Sequence, residues 1–185
     1  MKKIAFIVES FFSDYYRKKN HIDFYKKKKI KIEILNVSKI TRTKYFYHFR
    51  GKIKTSKEKI IDNNNLEREL IKLKKFDLVM IEVSRTIHAK KIFNILEKEK
   101  IDYSFWLDGF LPSANSRFNI IRDVFFDPIV GIRHVLQALE HRKNKISLRP
   151  KNIFYSGRKA YLDSKKEFSN AKFISVPNSD LDSFL

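Results

Sequence analysis

Residues 76–109 show the clearest alternation of apolar and polar positions in the chain. A short apolar run over residues 77–83 precedes a segment with helical spacing, and an apolar, aromatic run over residues 103–107 then ends at Asp108 and Gly109. The helical spacing is defined by Ile87, Ala89, Ile92, Phe93, Ile95 and Leu96. Strand, helix and strand at this length predict a βαβ unit with parallel strands and a right-handed crossover.

The same two patterns recur on both sides of this unit. Short apolar runs predict strands that begin near Ile4, Ile30, Leu78, Tyr103, Ile153 and Phe173. Helical patterns lie between them over residues 15–29, 66–75 and 158–168, and another helix is expected to open at Asp127 and Pro128. We therefore predict an α/β fold, a Rossmann-like three-layer αβα domain with a mainly parallel sheet, and a single domain over residues 1–185.

Composition indicates a globular chain and argues against disulfide-bonded, secreted and membrane-spanning proteins. A chain of 185 residues with 43% hydrophobic residues can bury a full core, and the absence of cysteine excludes disulfides and cysteine metal sites. The apolar run after Met1 ends at Glu9, which is too short for a signal peptide. No run reaches the roughly 18 apolar residues that a membrane span needs.

The formal net charge of +19 has three interpretations. A strongly basic surface can bind nucleic acid or an anionic membrane, or it can simply be a solvated, lysine-rich surface. Lysine far outnumbers arginine, whereas phosphate-binding proteins usually use arginine forks as well. A general basic surface is favoured, a membrane-facing patch comes next, and nucleic acid is the least favoured partner.

Aromatic and basic residues are interleaved over residues 42–50. Tyr45, Phe46, Tyr47 and Phe49 lie among Arg42, Lys44 and Arg50. Such a segment can stack on bases or sugars. The alternative, which we favour, is that these rings line the core or a flap over it.

The motifs of common cofactor and metal sites are missing from the sequence. Residues 8–13, in the first βα turn, contain none of the glycines that let a backbone approach a pyrophosphate, and the whole chain has four glycines. This argues against a nicotinamide enzyme or an NTPase, and we expect no cofactor. The five histidines show no metal-ligand spacing, so we expect no metal site.

Candidate site residues follow the predicted strands, where open parallel sheets bind their ligands. The set comprises Glu9, Ser10, Ser84, Asp108, Gly109, Ser156, Gly157 and Arg158. Asp108 can act as a general base toward a hydroxyl, or it can only cap the loop over residues 110–117. Residues 156–158 can present backbone N–H groups to an anion at a helix start, as in a nucleotide-binding or small-anion-binding protein, or they can form a plain turn.

Five segments together resemble a known family. They read KIAFIVES, FDLVMIEVS, SFWLDGFLP, NIFYSGRKA and FISVPNSDLDSFL, from the first residues to the last. In this order they are similar to the N-terminal part of bacterial surface-polysaccharide biosynthesis proteins, the glycosyltransferases of the GT-B type that act in capsule and lipopolysaccharide assembly. The resemblance covers most of the chain, and its motifs are mostly structural.

The resemblance implies a division of labour between two Rossmann-like halves. In such enzymes the N-terminal half binds the acceptor, the C-terminal half holds the sugar nucleotide, and the active site lies between them. This chain matches the N-terminal half and lacks the donor half, so we expect it to be inactive alone. It is expected either to be part of a longer or split product that continues past Leu185, or to work with a partner chain.

The expected function is therefore acceptor binding in cell-surface polysaccharide biosynthesis, with a sugar or lipid-linked acceptor as the partner. Peripheral contact with an anionic membrane would be electrostatic, because neither basic segment, residues 17–31 or 142–151, shows an obvious apolar face. The expected location is the cytoplasm, with the inner face of the membrane as the alternative. The competing function is a non-catalytic basic module that binds nucleic acid or an anionic membrane surface.

Overall fold

A parallel β-sheet forms the centre of the structure. The computed structural model describes residues 1–53, 57–84, 86–107, 148–156 and 158–176. Within these ranges the sheet has seven strands in the order β3-β2-β1-β4-β5-β6-β7, and all neighbouring strands pair in parallel. The strands are β1 Lys3–Val8, β2 Lys31–Asn36, β3 Lys59–Ile60, β4 Leu78–Glu82, β5 Ser104–Leu107, β6 Asn152–Tyr155 and β7 Lys172–Ser175.

Within the described ranges, helices lie between successive strands as crossovers. In chain order they are α1 Asp14–Lys19, α2 Ile22–Lys27, α3 Ser38–Thr41, α4 Thr43–Phe49, α5 Leu66–Ile71, α6 Lys90–Lys98 and α7 Arg158–Glu167. Helix α5 continues as a 3₁₀ turn, Lys72–Lys75, and α6 is preceded by another, Ile87–Ala89. No helix in these ranges is both long enough and apolar enough to cross a bilayer.

The core lies on both faces of the central strands. Phe6 is in register with Ile34 of β2 and Met80 of β4, and these three side chains join one cluster that also includes Phe12 and Ile22 from the α1–α2 side. On the opposite face, Phe93 of α6 contacts Tyr103 and Phe105 at ring-centre distances of 6.2 Å. Strand β1 is buried on both faces, which explains its unbroken apolar sequence. The prediction of a three-layer Rossmann-like α/β fold is confirmed.

All six predicted strand starts lie within one residue of the observed ones. The single helix expected over residues 15–29 is wrong: it is divided into α1 and α2. His21 takes a left-handed backbone conformation with φ 49°, which an α-helix cannot continue through. The break places Ile22 in the core.

Some predictions fall on residues outside the described ranges. They include the loop over residues 110–117, the helix that opens at Asp127, and the turn at Pro177. The single-domain prediction over residues 1–185 likewise stays a prediction.

Candidate functional site

The strand order creates a crevice between β1 and β4. From β1 the sheet grows through β2 and β3 on one side, and from β4 it grows through β5, β6 and β7 on the other. The crossovers therefore leave in opposite directions where β1 and β4 meet. In open parallel sheets, ligands bind outside the carboxyl ends of the strands at such a point. Val8 and Glu82 are in register at these ends. Glu9 comes next after Val8, and Ser84 comes two residues after Glu82 and hydrogen-bonds to Glu9.

A cleft of about 350 Å³ lies at this point. Its lining combines charged, hydroxyl and aromatic side chains from the ends of β1, β4 and β5 and from α1 and the α3–α4 turn. The lining residues are Glu9, Ser10, Tyr16, Lys19, Arg42, Ile81, Glu82, Val83, Ser84, Phe105, Trp106 and Phe168. The lining is thus divided between polar or charged side chains and apolar ones. In small-molecule sites, convergent polar groups beside apolar walls fix the orientation of the ligand.

Glu9 is the buried carboxylate of this cleft. Ser84 Oγ donates a hydrogen bond to Glu9 Oε1, and Arg42 Nη2 lies 3.1 Å from the same oxygen. A buried carboxylate is costly unless it is hydrogen-bonded and paired, and these two contacts satisfy that requirement. Glu9 therefore joins three separate segments and still lines the cleft.

A second polar cluster fixes the turn between β1 and α1. Glu58 Oε2 accepts hydrogen bonds from Phe12 N at 3.1 Å and from Asn36 Nδ2 at 2.9 Å. Asn36 is fully buried, and its Oδ1 accepts from Ser38 N at 2.9 Å and from Ser38 Oγ at 2.6 Å. The turn that holds Glu9 and Ser10 is thus anchored to the end of β2, which preorganises the cleft.

The four rings of the interleaved aromatic segment differ in burial: Phe46 is buried, Tyr45 and Phe49 are half-buried, and Tyr47 is exposed. Phe11 contacts Tyr45 and Phe46 with ring centres 5.8 and 5.7 Å apart, and Phe46 is buried. The core interpretation is therefore confirmed for Phe46. Tyr47 is 60% exposed, so one ring of the segment faces solvent.

The structure brings three of the predicted site residues together. Glu9, Ser10 and Ser84 line the same cleft. Ser156 follows β6 at the same edge of the sheet, where it is buried and its hydroxyl has no hydrogen-bond partner among the described residues. Arg158 begins α7.

Three other predicted site residues, Asp108, Gly109 and Gly157, lie outside the described ranges. For Arg158 only the backbone is described. The predictions for these four residues stay predictions.

Sequence reasoning missed several lining residues. Arg42 lies after β2, and Tyr16 and Lys19 lie on α1, so none of the three directly follows a predicted strand. Site residues were sought directly after each predicted strand. A search that also covered the segment following β2 would have drawn attention to Arg42. Within the described ranges, no group of three or more histidine or acidic side chains could hold a metal ion.

The sheet and its switch-point cleft define a Rossmann-like α/β domain. No family model matches the chain, and no curated protein matches it. Among solved structures, the chain is similar to the crystal structure of Acinetobacter baumannii MurG, a glycosyltransferase of the GT-B type. The two share 10% identity with a TM-score of 0.36, over 96% of this chain and 68% of that chain. A likeness this distant carries no argument about activity or substrate.

Proposed function

We propose that this chain is the acceptor-binding domain of a glycosyltransferase-like protein in cell-surface polysaccharide biosynthesis. Its cleft between β1 and β4 binds a sugar of the acceptor. One observation supports this most directly: a buried carboxylate, a hydroxyl and a guanidinium, Glu9, Ser84 and Arg42, converge beside exposed parts of aromatic rings.

The chemistry of a sugar matches this lining. Each sugar hydroxyl both donates and accepts hydrogen bonds, so it can pair with a carboxylate, a serine hydroxyl or a guanidinium. A sugar ring also has a face of C–H groups, which packs well on an aromatic side chain. Tyr16 and Trp106 provide such rings on the cleft wall. The combination suits a neutral, polyhydroxylated ligand.

Catalysis in this proposal needs a second Rossmann-like half that holds the sugar nucleotide. That half belongs to the same product or to a partner chain, and the resemblance of the sequence to GT-B enzymes supports this arrangement. Asp108 directly follows β5 in the sequence. We assign to it the role of a general base or of a ligand for the acceptor hydroxyl.

Glycan binding by the whole chain tests the proposal. The chain is applied to an array of bacterial surface oligosaccharides, and the affinity for the best glycan is then measured by calorimetry. The variant Arg42→Gln is expected to bind about tenfold more weakly or worse, because it removes a charged donor from the cleft. Lys44→Gln, an exposed change on α4, serves as the matched control and keeps the wild-type affinity.

Two results would reject the sugar-binding cleft. One is that no oligosaccharide binds to the folded chain. The other is that Arg42→Gln and Lys44→Gln bind the best glycan with equal affinity.

A further inference from the structure

Helices α1 and α2 place two aromatic side chains on the outer surface of the domain. Tyr15 is 61% exposed and Phe24 is 56% exposed. Their sequence neighbours, Tyr16 and Tyr25, pack against the core cluster beneath the two helices. Tyr16 and Tyr25 supply the aromatic contacts between these helices and the core. Core packing therefore does not explain why Tyr15 and Phe24 are aromatic.

The outer rings are held in place by the inner ones. Tyr15 meets Tyr16 edge to face, with ring centres 5.6 Å apart and an interplanar angle of 78°. Phe24 meets Tyr25 in the same way, at 5.8 Å and 69°. Each exposed ring is therefore supported from below and presents its remaining surface to solvent.

Basic residues are dense in the sequence around these two rings. Residues 14–31 contain eight lysines and arginines and two aspartates. Arg17 Nε donates to Asp23 Oδ1 at 3.0 Å, which ties α1 to α2 and uses one charge of each sign. Lys28 Nζ lies 5.8 Å from the centre of the Phe24 ring. With eight basic and two acidic residues, residues 14–31 carry a formal net charge of +6.

We propose that α1, α2 and the lysines that follow them form a membrane-binding surface for an anionic bilayer, with Tyr15 and Phe24 inserted at the headgroup level. Aromatic rings favour that level of a bilayer, and nearby lysines are attracted to anionic lipid. The sequence predicted a purely electrostatic contact with the membrane. With Tyr15 and Phe24 inserted, the contact also buries apolar surface.

The details favour a bilayer over a nucleic-acid strand. Single-stranded nucleic acid binds in grooves that follow its backbone and offer open ring faces for stacking. Here the rings stand on two short helices, and a lysine ammonium already lies over the Phe24 ring. Residues 14–31 also contain seven lysines and one arginine, whereas phosphate recognition usually relies on the paired hydrogen bonds of an arginine guanidinium.

Co-sedimentation of the full chain with vesicles is the first test. One set is pure phosphatidylcholine, and the other contains about one third phosphatidylglycerol. The chain is expected to bind the anionic set alone and to lose binding as salt rises. The double variant Tyr15→Ser with Phe24→Ser is expected to bind about tenfold more weakly, through lost apolar burial. Lys26→Gln is expected to weaken binding to the anionic vesicles about fivefold.

Control variants carry the same changes elsewhere on the surface. Tyr47→Ser alters a similarly exposed tyrosine on α4, and Lys90→Gln alters an exposed lysine on α6. Both are expected to bind the anionic vesicles like the wild-type chain. Circular dichroism on every variant checks that it is folded.

A spectroscopic measurement reports insertion directly. The chain has no cysteine, so Phe24→Cys can be labelled at one position with an environment-sensitive fluorophore. A blue shift on anionic vesicles is expected at position 24, and none is expected for Tyr47→Cys. This second measurement does not depend on whether the double serine variant stays folded.

Three results would overturn the membrane proposal. They are binding to neutral vesicles as strong as to anionic ones, no difference between the double variant and Tyr47→Ser, or binding of an oligonucleotide while vesicles are left unbound. The vesicles contain no glycan, so a failure here leaves the sugar-binding cleft standing, and a failure on the glycan array leaves this surface standing.

Discussion

Replacing Glu69 with glutamine is expected to destabilise the domain more than any other single loss of charge on α5. Glu69 is 1% exposed and contacts three basic side chains: Lys59, Arg68 at 3.2 Å and Lys72 at 2.8 Å. Lys59 belongs to the edge strand β3. The carboxylate therefore attaches that two-residue strand to the helix.

The size of the effect follows from the pKa of this carboxyl. Burial alone would raise the pKa of Glu69, but hydrogen bonds from Lys59 and Lys72 outweigh it and lower the pKa from 4.5 to about 2. Such a shift corresponds to about 3 kcal/mol of stabilisation at neutral pH. Because all three basic partners are partly exposed, solvent screening reduces the expected loss in Glu69→Gln to about 1–2 kcal/mol.

The difference between wild type and Glu69→Gln should also depend on pH. The pKa is depressed in the folded state, so the stabilisation is fully present above about pH 5 and is lost as the pH falls toward 2. At pH 3, roughly 60% of this contribution has gone. Other carboxyls titrate in both proteins, and their effects therefore cancel in the difference.

Urea unfolding at pH 7, 5, 4 and 3 measures this difference, with the single tryptophan, Trp106, as the fluorescence probe. Glu67→Gln is the matched control: Glu67 lies in the same helix turn, but its contact with Lys98 at 3.3 Å is exposed. That variant is expected to change the free energy of unfolding by less than about 0.5 kcal/mol. Equal effects of the two variants, or a pH-independent loss in Glu69→Gln, would refute the reasoning.

Four further predictions can be tested separately. Tyr103→Phe removes hydrogen bonds to Glu97 at 2.7 Å and from Arg149 N at 2.9 Å, and urea unfolding should show a loss of about 1 kcal/mol. Burial, and then the bond to Glu97, raise the pKa of Tyr103. A spectrophotometric titration of the wild type should therefore show a late-ionising tyrosine that is missing in Tyr103→Phe. Phe46→Ala should cost about 3 kcal/mol in thermal unfolding, while Tyr47→Ala stays within about 0.5 kcal/mol. Calorimetry of the isolated chain with UDP-, GDP- and CMP-sugars should detect no micromolar binding, and such binding to any of them would contradict an isolated acceptor half.

Strand positions could be predicted because their signal is local. The segment KIAFIV must be a buried strand, since it has no polar face for a helix to expose. Strand β3 has no such signal: Lys59 and Ile60 are both exposed, and they form a strand only through pairing with Leu35 and Asn36. Pairing with a distant partner is not visible in the pattern of one segment.

The break between α1 and α2 was unpredictable for a different reason. The apolar spacing through residues 15–29 continues across it, and a positive φ like that of His21 is uncommon for any residue other than glycine, even though histidine adopts it more often than most. Packing of Ile22 into the core accompanies the break. Tertiary packing here overrides a local helical preference.

The candidate site was predictable where it depends on topology alone. Glu9 and Ser84 meet because parallel strands end at one edge, a rule that needs only strand positions. Arg42 is 33 residues from Glu9 in the sequence, and it reaches the carboxylate through the short helix α3. Helix α3 begins at Ser38, whose backbone N–H and hydroxyl donate hydrogen bonds to the buried Asn36 side chain. The position of Arg42 therefore depends on side-chain hydrogen bonds, which the spacing of apolar residues in the sequence does not show.

Helix α1 carries residues of both proposed binding surfaces. Tyr16 and Lys19 line the cleft, and Tyr15 lies on the outer surface. If both proposals hold, a displacement of this six-residue helix by a ligand in the cleft also moves Tyr15, and the two binding equilibria are then thermodynamically linked. Linkage is reciprocal: a bilayer that fixes α1 in the geometry the cleft requires raises affinity in the cleft, and an occupied cleft raises affinity for the bilayer by the same factor. Such a helix would act as a coincidence detector, which holds each ligand most tightly where both are present.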